Sequence, residues 1–242
     1  MKLFQYWDTG EPPDDVAICI ETFRVMNPDM EYRLFSRDDA AWFIKKHHGS
    51  RELQAFEACA VPAMQSDYFR LCRLARGGGV YVDVDNRCVG SLSQLASLVQ
   101  RSAVASWNAH LVNSFWVTHA AGDPFVMACL TLATQNIEDR AFNNVYTATG
   151  PGVLDAVRVV CHPEIYPKLA RAMDNAMQRS WNFPGLVERA RRQIPQTQAL
   201  VDAFRAMRVF NPGQLDPWIL YQAPEYKAGE RHWLNWRRSL YQ

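Results

Sequence analysis

The segment 66–87 constrains the fold of this chain more than any other, because a helical pattern, a glycine run and a strand follow one another without a linker. Leu71 and Leu74 lie at helical spacing and give the segment an apolar face. The glycines at 77–79 end the helix, since glycine accepts the left-handed backbone that closes a helix. Residues 80–82 are a β-prone run of Val, Tyr and Val. The segment therefore predicts a helix that leads directly into a short buried strand.

An acidic pair follows this strand. Asp83 and Asp85 are two residues apart, so on an extended chain their carboxylates point to the same side and repel each other in a dry site. A divalent cation resolves that repulsion, and carboxylates suit Mg²⁺ or Mn²⁺, which often bind one or two carboxylates plus substrate phosphates. Ligands of open α/β sheets gather at the carboxyl ends of strands. The pair predicts a metal–diphosphate site, although the same triplet also occurs on exposed turns.

The start of the chain predicts a parallel α/β sheet. Residues 2–7 form a first strand, a helix follows Pro12-Pro13 and runs to about Met26, and residues 32–35 form a second strand. This strand–helix–strand order is typical of parallel sheets. Between 167 and 210 the pattern is mainly helical, and we expect one domain over 1–242 with a helical insertion at about 160–230.

The segment 66–87 resembles the DXD-containing sugar-binding region of glycosyltransferase family 32. This family includes yeast-type initiating α-1,6-mannosyltransferases, many bacterial capsule transferases and, more remotely, the large clostridial glucosylating toxins. The matching residues are Asp67, Arg70, Gly78, Gly79, Tyr81, Asp83 and Asp85. The resemblance implies a GT-A-type α/β fold, with a mixed, mainly parallel sheet flanked by helices, and a retaining transfer of sugar from a nucleoside-diphosphate donor.

The resemblance also implies roles for individual residues near the acidic pair. Asp85, with Asp83, is expected to hold Mn²⁺ or Mg²⁺ on the donor diphosphate, and Arg70 to add positive charge there. Asp67 is expected to bind sugar hydroxyls. For the pair Asp67 and Arg70, a surface ion pair is the alternative, since residues three apart share a helical face. Tyr81, on the strand before the acids, is expected on the donor side of the site.

Two further residues are implied to bind the donor. Trp7 matches the start of the family pattern together with Gly10, and in the remote toxin relatives the equivalent Trp stacks on the nucleotide base. A core tryptophan at a strand end is the alternative. Asn113 is the nearest match to a polar pair that can bond a donor-sugar hydroxyl, and Asn108 is its rival.

The C-terminal segment resembles the family's H-x-W-x-x-S-W region. His232 is implied as a third metal ligand or a diphosphate contact, with a structural histidine as the alternative. Asn235 stands where the family usually has Ser; its oxygen can still ligate a metal, but the departure places that role in doubt. Trp236 is implied as a lid over the donor. Because this region is basic and aromatic, it also offers a contact to an anionic membrane surface.

Composition excludes several classes of protein. A formal net charge of +1 gives no case for nucleic-acid binding. The six cysteines form no C-x-x-C pair and lie in apolar surroundings, which favours buried thiols and a reducing compartment. No apolar run approaches the ~18 residues of a membrane span, and the first residues do not read as a signal peptide. We expect a cytoplasmic, bacterial protein, or one peripheral at the inner face of the membrane.

The sequence thus predicts a metal-dependent glycosyltransferase whose donor is a UDP- or GDP-sugar. Its acceptor is expected to be a glycan, as in polysaccharide biosynthesis, a lipid-linked glycan or a protein. Two other functions stay open. A non-catalytic protein that binds carbohydrate or nucleotide sugar would keep the fold, and some phosphatases use D-x-D with a nucleophilic first Asp. The phosphatase pattern wants Thr or Val two residues after the second Asp, where this chain has Arg87.

Overall fold

The computed structural model describes residues 1–172, 181–222, 224–228, 232, 236 and 238–242. Its strands are β1 (Lys2–Tyr6), β2 (Glu31–Phe35), β3 (Gly79–Val82), β4 (Asn86–Cys88), β5 (Ser102–Trp107), β6 (His110–Thr118), β7 (Arg208–Phe210) and β8 (Ile219–Tyr221). Its α-helices are α1 (Asp14–Met26), α2 (Arg37–His47), α3 (Ser50–Ala58), α4 (Pro62–Gly77), α5 (Leu92–Ser97), α6 (Pro124–Glu138), α7 (Val145–Ala148), α8 (Pro151–Cys161), α9 (Tyr166–Ala172), α10 (Phe183–Gln193) and α11 (Gln198–Ala206). Short 3₁₀ turns cover Pro163–Ile165 and Glu225–Ala228.

The central sheet has the strand order β2–β1–β3–β6–β5–β7. β1 pairs in parallel with β2 and β3, and β5 pairs in parallel with β7. β6 is antiparallel to both of its neighbours, β3 and β5. The other strands of this sheet therefore all run in one direction, and the mixed, mainly parallel sheet predicted from the sequence is confirmed. A separate two-stranded ribbon joins β4 to β8.

Helices cover both faces of the sheet, as the alternation of side chains along a strand requires. On one face, Phe4 and Tyr81 pack into a large apolar cluster with α4, α6, α8, α10 and α11. On the other, Leu3 and Val80 pack into a smaller cluster with Phe23 of α1 and with α5. Burial on both faces explains why β3 is apolar without interruption.

Gly78 and Gly79 carry the chain from α4 into β3. Both have positive φ angles, 61° and 123°. A Cβ atom on Gly78 would lie 2.7 Å from the carbonyl oxygen of Thr118, and one on Gly79 would lie 2.8 Å from that of Lys2. No side chain fits there. The glycines therefore allow β3 to enter the sheet between β1 and β6, which fixes the position of the acidic pair that follows.

The helical insertion expected at about 160–230 differs from the structure in its second half. The described residues are helical as far as Ala206, after which β7 joins the edge of the sheet beside β5 and β8 pairs with β4. These strands are only three residues long, and their partners lie far away in sequence, so local pattern does not reveal them. The single-domain boundary 1–242 stays a prediction.

The cysteines agree with the expectation from composition. All six cysteines are buried and free, as predicted. Among the helices of the described residues, none is both long and apolar enough to span a membrane.

Candidate active site

A cavity of about 760 Å³ opens at the carboxyl ends of β1 and β3. Its walls come from the β1–α1 loop, the first half of α4, the residues after β3, the middle of β6, the start of α8 and the C-terminal segment. This is the edge at which the sequence places the acidic pair. The predicted site residues that line the cavity are Trp7, Asp67, Arg70, Tyr81, Asp83, Asp85, Asn113 and His232.

Arg70 is the centre of a buried network beneath this cavity. Its Nη2 lies 3.0 Å from Oδ1 of Asp67 and 3.0 Å from Oδ1 of Asp83. Nη1 donates to the carbonyl oxygen of Asn113 at 2.5 Å, and Nε and Nη2 donate to the carbonyl and hydroxyl oxygens of Ser66. The side chains of Arg70 and Asp67 are 4% and 8% exposed. The surface ion pair considered from the sequence is therefore not what forms: Arg70 is a buried clamp on two carboxylates.

Asp67 is held by two further segments of the fold. Asn113 on β6 donates to its Oδ1 at 2.8 Å, and Thr149, just before α8, donates to Oδ2 at 3.3 Å. Burial raises the pKa of Asp67 to about 6, against the opposing effect of the Arg70 charge. Asn113 thus contacts the network directly, whereas its rival Asn108 lies in the β5–β6 turn with a φ angle of 46°.

Tyr81 orients Asp83 and supports Arg70. Its hydroxyl donates to Oδ1 of Asp83 at 2.6 Å and lies 2.9 Å from the hydroxyl of Ser66. Its ring lies under the guanidinium of Arg70, with Cζ 4.2 Å from the ring centroid. Tyr81 is 1% exposed, so its contribution at this site is to hold the charged groups in place.

Asp83 and Asp85 do not continue β3 as an extended chain. The strand ends at Val82, and a turn follows in which the amide of Asn86 donates to the carbonyl oxygen of Asp83 at 3.2 Å. Both carboxylates reach the cavity, but they are held by different cations: Asp83 by Arg70, and Asp85 by Lys227. The same-side geometry expected for an extended D-x-D is therefore replaced by a turn.

Lys227 is a site residue that the sequence did not reveal. It lies in the 3₁₀ turn Glu225–Ala228, forms an ion pair with Oδ2 of Asp85, and donates to the hydroxyl of Tyr221 at 2.9 Å. Asp85 is buried, and burial together with the negative charge of Asp83 raises its pKa to about 6 although Lys227 acts in the opposite direction. Ser66 and Thr149 were not predicted as site residues either; single hydroxyl residues, one on a helix and one in a turn, carry no pattern that identifies them.

The remaining predicted residues have mixed placements. Trp7 lies at the cavity wall and packs against the small cluster of Val16, Ile20 and Val84. His232 lines the cavity, and its pKa is lowered by burial and, to a lesser extent, by the nearby charge of Lys227.

Trp236 does not line the cavity. It packs against the large apolar cluster, and its Nε1 donates to the carbonyl oxygen of Ser239 at 3.1 Å. Asn235 lies outside the described residues.

The side chains that line the cavity fit a hard divalent cation only in part. Within the described stretches of the chain, no three His, Cys, Asp or Glu side chains are arranged as a metal site. Asp83 and Asp85, however, present carboxylate oxygens to one cavity. Mg²⁺ and similar ions are often held by one or two carboxylates together with substrate phosphates, and this arrangement suits that mode.

Comparison with known proteins finds a family model that matches part of this chain. Residues 13–111 match the family model described as the glycosyltransferase sugar-binding region containing a DXD motif. The matched region includes the Asp67–Arg70 pair and the triplet 83–85. No curated protein matches this chain.

A solved structure titled PaToxG glycosyltransferase has the same fold. It is 15% identical in sequence, with a TM-score of 0.51 over 80% of this chain and 84% of that chain. At this identity the likeness shows the fold alone, which is GT-A-like. The family model thus matches a glycosyltransferase sugar-binding region over residues 13–111, and the solved structure adds the likeness of fold.

Proposed function

We propose that this protein transfers a sugar from a nucleoside-diphosphate donor to an acceptor. The observation that carries the proposal is the convergence of Asp67, Arg70, Asp83 and Asp85 on one cavity at the carboxyl edge of the sheet. All four lie in the segment that matches the sugar-binding family model. The finer assignment is to family 32, with retention of configuration at the sugar and a UDP- or GDP-sugar as the donor.

Asp83 and Asp85 would hold the divalent cation, Mn²⁺ or Mg²⁺. When bound, the metal would supply Lewis-acid stabilisation of the charge that develops on the leaving diphosphate. His232 and Asn235 are proposed as additional ligands or diphosphate contacts. Arg70 holds the carboxylates of Asp67 and Asp83 in place, since every nitrogen of its guanidinium already donates to, or is paired with, a protein oxygen. It acts on the site through these carboxylates and through its charge.

Asp67 would accept a hydrogen bond from a hydroxyl group of the donor sugar. The contacts from Arg70, Asn113 and Thr149 leave about one of the four acceptor positions of its carboxylate for this bond. These contacts also fix the carboxylate before the sugar arrives, so little ordering remains to be done on binding. Trp7 would form the surface on which the nucleotide base stacks.

Acceptor and location belong to the same proposal. A glycan, a lipid-linked glycan or a protein would receive the sugar, in a bacterial cytoplasm or at the inner face of the membrane. Trp236 would close over the donor only after leaving its present contact with the apolar cluster.

A thermal-shift panel tests the donor site. UDP-, GDP-, dTDP- and CMP-sugars would each be added with Mn²⁺ and with EDTA, because a ligand that binds the native state raises its apparent stability. We expect stabilisation by UDP- or GDP-sugars, lost in EDTA. Stabilisation that is equal in EDTA would contradict the metal requirement, and the absence of stabilisation by every nucleotide sugar would contradict the donor site.

A further inference from the structure

The C-terminal ribbon brings a lysine onto the carboxylate that the proposed function assigns to the metal. β8 pairs with β4, so that Tyr221 lies opposite Asn86, the residue that follows Asp85. The amide of Gln222 donates to the carbonyl oxygen of Asp85 at 3.0 Å. The segment 219–228 is thus fixed to the backbone of the acidic turn.

A third contact anchors the same segment at its other side. The amide of Glu225 donates to Oδ2 of Asp15 on α1 at 2.8 Å. The 3₁₀ turn that starts there places Lys227 over Asp85, with its side chain 20% exposed, at the wall of the cavity. The position of this lysine therefore depends on the backbone anchors at Gln222 and Glu225, which precede it, and does not rest on its own ion pair alone.

The charges around the cavity show why a lysine at this place matters. The acidic residues of the described chain that line the cavity are Asp8, Glu11, Asp67, Asp83 and Asp85, and the Arg and Lys residues are Arg70 and Lys227. A nucleoside diphosphate brings further negative charge into this acidic surrounding. Arg70 is already committed to Asp67, Asp83 and the neighbouring oxygens. Lys227, by contrast, pairs with Asp85 and with the hydroxyl of Tyr221, and its side chain is 20% exposed against 4% for Arg70.

We propose that Lys227 occupies the cation position on Asp85 while the donor is absent and binds the donor diphosphate once a metal ion takes that position. A lysine ammonium is a compact charge with rotatable donors on a flexible stem, so it can exchange one oxygen partner for another without movement of the backbone. The hydroxyl of Tyr221 provides a contact that Lys227 can keep during the exchange. This inference rests on the proposed donor site and adds to it a residue from outside the matched family segment.

The test compares Lys227→Met with Lys227→Arg and with the control Lys2→Met. Lys2 is an exposed lysine at the amino end of β1 and forms an ion pair with Glu31. Binding of UDP and of GDP in saturating Mn²⁺ is measured by calorimetry, beside binding of uridine and guanosine. Binding of Mn²⁺ alone is measured from the signal of the free ion in electron paramagnetic resonance.

For Lys227→Met we expect diphosphate affinity to fall at least about tenfold, since charge-assisted bonds to phosphate are strong, with nucleoside affinity unchanged. Lys227→Arg should retain most of the diphosphate affinity, and Lys2→Met should match the wild type. Mn²⁺ alone should bind Lys227→Met more tightly than the wild type, because the competing ammonium is gone.

Three results would overturn this inference or its premise. Unchanged diphosphate affinity in Lys227→Met contradicts the role of Lys227 as a diphosphate contact. Unchanged or weaker Mn²⁺ binding by that variant contradicts the exchange on Asp85. If neither UDP nor GDP binds the wild type, the proposed donor site itself is contradicted. If the wild type and Lys227→Met bind the nucleoside diphosphates equally well, only the role of Lys227 is contradicted.

Discussion

Arg70 and Asp67 form an ion pair with a separation of 3.0 Å in which both side chains are almost fully buried. They are three residues apart on α4, yet Arg70 also reaches Asp83 after β3, so the pair ties the helix to the end of the strand. Buried charges are costly unless they are paired and hydrogen-bonded. The pairing and hydrogen bonding of this network therefore allow buried carboxylates to line the cavity.

Replacement of Arg70 should destabilise the fold. Arg70→Met leaves Asp67 and Asp83 without their shared cation, and removal of one partner from a buried pair costs about 3–5 kcal/mol. Arg70→Lys keeps the positive charge but has fewer hydrogen-bond donors than the guanidinium, so the decrease in the free energy of unfolding should be smaller. Denaturant unfolding of the two variants checks this order. Equal stability of Arg70→Met and the wild type would show that the network does not hold the site together.

Asp67→Asn should impair sugar transfer more than nucleotide binding. The amide keeps the size of the side chain but removes the charge that is proposed to accept a sugar hydroxyl, while Trp7 and Lys227, proposed to contact the base and the diphosphate, are other residues of the cavity lining. The measurements are turnover of the nucleotide sugar and the dissociation constant of the nucleoside diphosphate, with Asp29→Asn in the exposed turn before β2 as the matched control. Equal losses in both quantities would identify Asp67 as a purely structural residue.

The stability of the protein should respond to the titration of Asp67. Burial raises its pKa from 3.8 to about 6, so between these values the folded state binds more protons than the unfolded state. The free energy of unfolding contributed by this group therefore falls as pH rises from about 4 to about 6 and is constant above that. Asp67→Asn should remove this contribution. A difference between variant and wild type that does not change between pH 4 and pH 7 would contradict the raised pKa.

Trp7→Ala should weaken binding of the nucleoside part of the donor. Stacking of a base on an aromatic ring contributes about 1–3 kcal/mol per base, which is a loss of about fivefold or more in affinity. Trp42→Ala is the matched control, because Trp42 on α2 is 56% exposed and does not line the cavity. Calorimetry with uridine and guanosine diphosphates measures the effect. Equal affinities for the two variants would leave Trp7 as a packing residue of its small apolar cluster.

Local pattern predicted α4, its glycine end and β3, and the family resemblance identified Asp67 and Arg70 on α4 as candidate site residues. The helix, its glycine end and the strand are formed by neighbours in sequence, and the spacing of Asp67 and Arg70 places them on one helical face. The order of the first strands and the location of the acids at a carboxyl edge followed from the same reasoning.

The partners of these residues depend on packing between distant segments, which local pattern does not encode. Thr149 reaches Asp67 because α8 packs against β6, and Lys227 reaches Asp85 because β8 pairs with β4. The turn after β3 also escaped prediction, since Asp-Val-Asp reads equally well as extended chain. The sequence therefore predicted the acidic groups of the site but neither the cation on Asp85 nor the contacts that fix Asp67.

The most direct test of the account is the release of nucleoside diphosphate from UDP- and GDP-sugars by the wild type and by Asp85→Asn. Both proteins are first shown to have the same unfolding transition, so that a difference reports on the site. The account predicts release by the wild type in Mn²⁺, its loss in EDTA, and its loss in Asp85→Asn under all conditions. Release by a folded Asp85→Asn variant at the wild-type rate would contradict the assignment of this cavity as a metal-dependent sugar-transfer site.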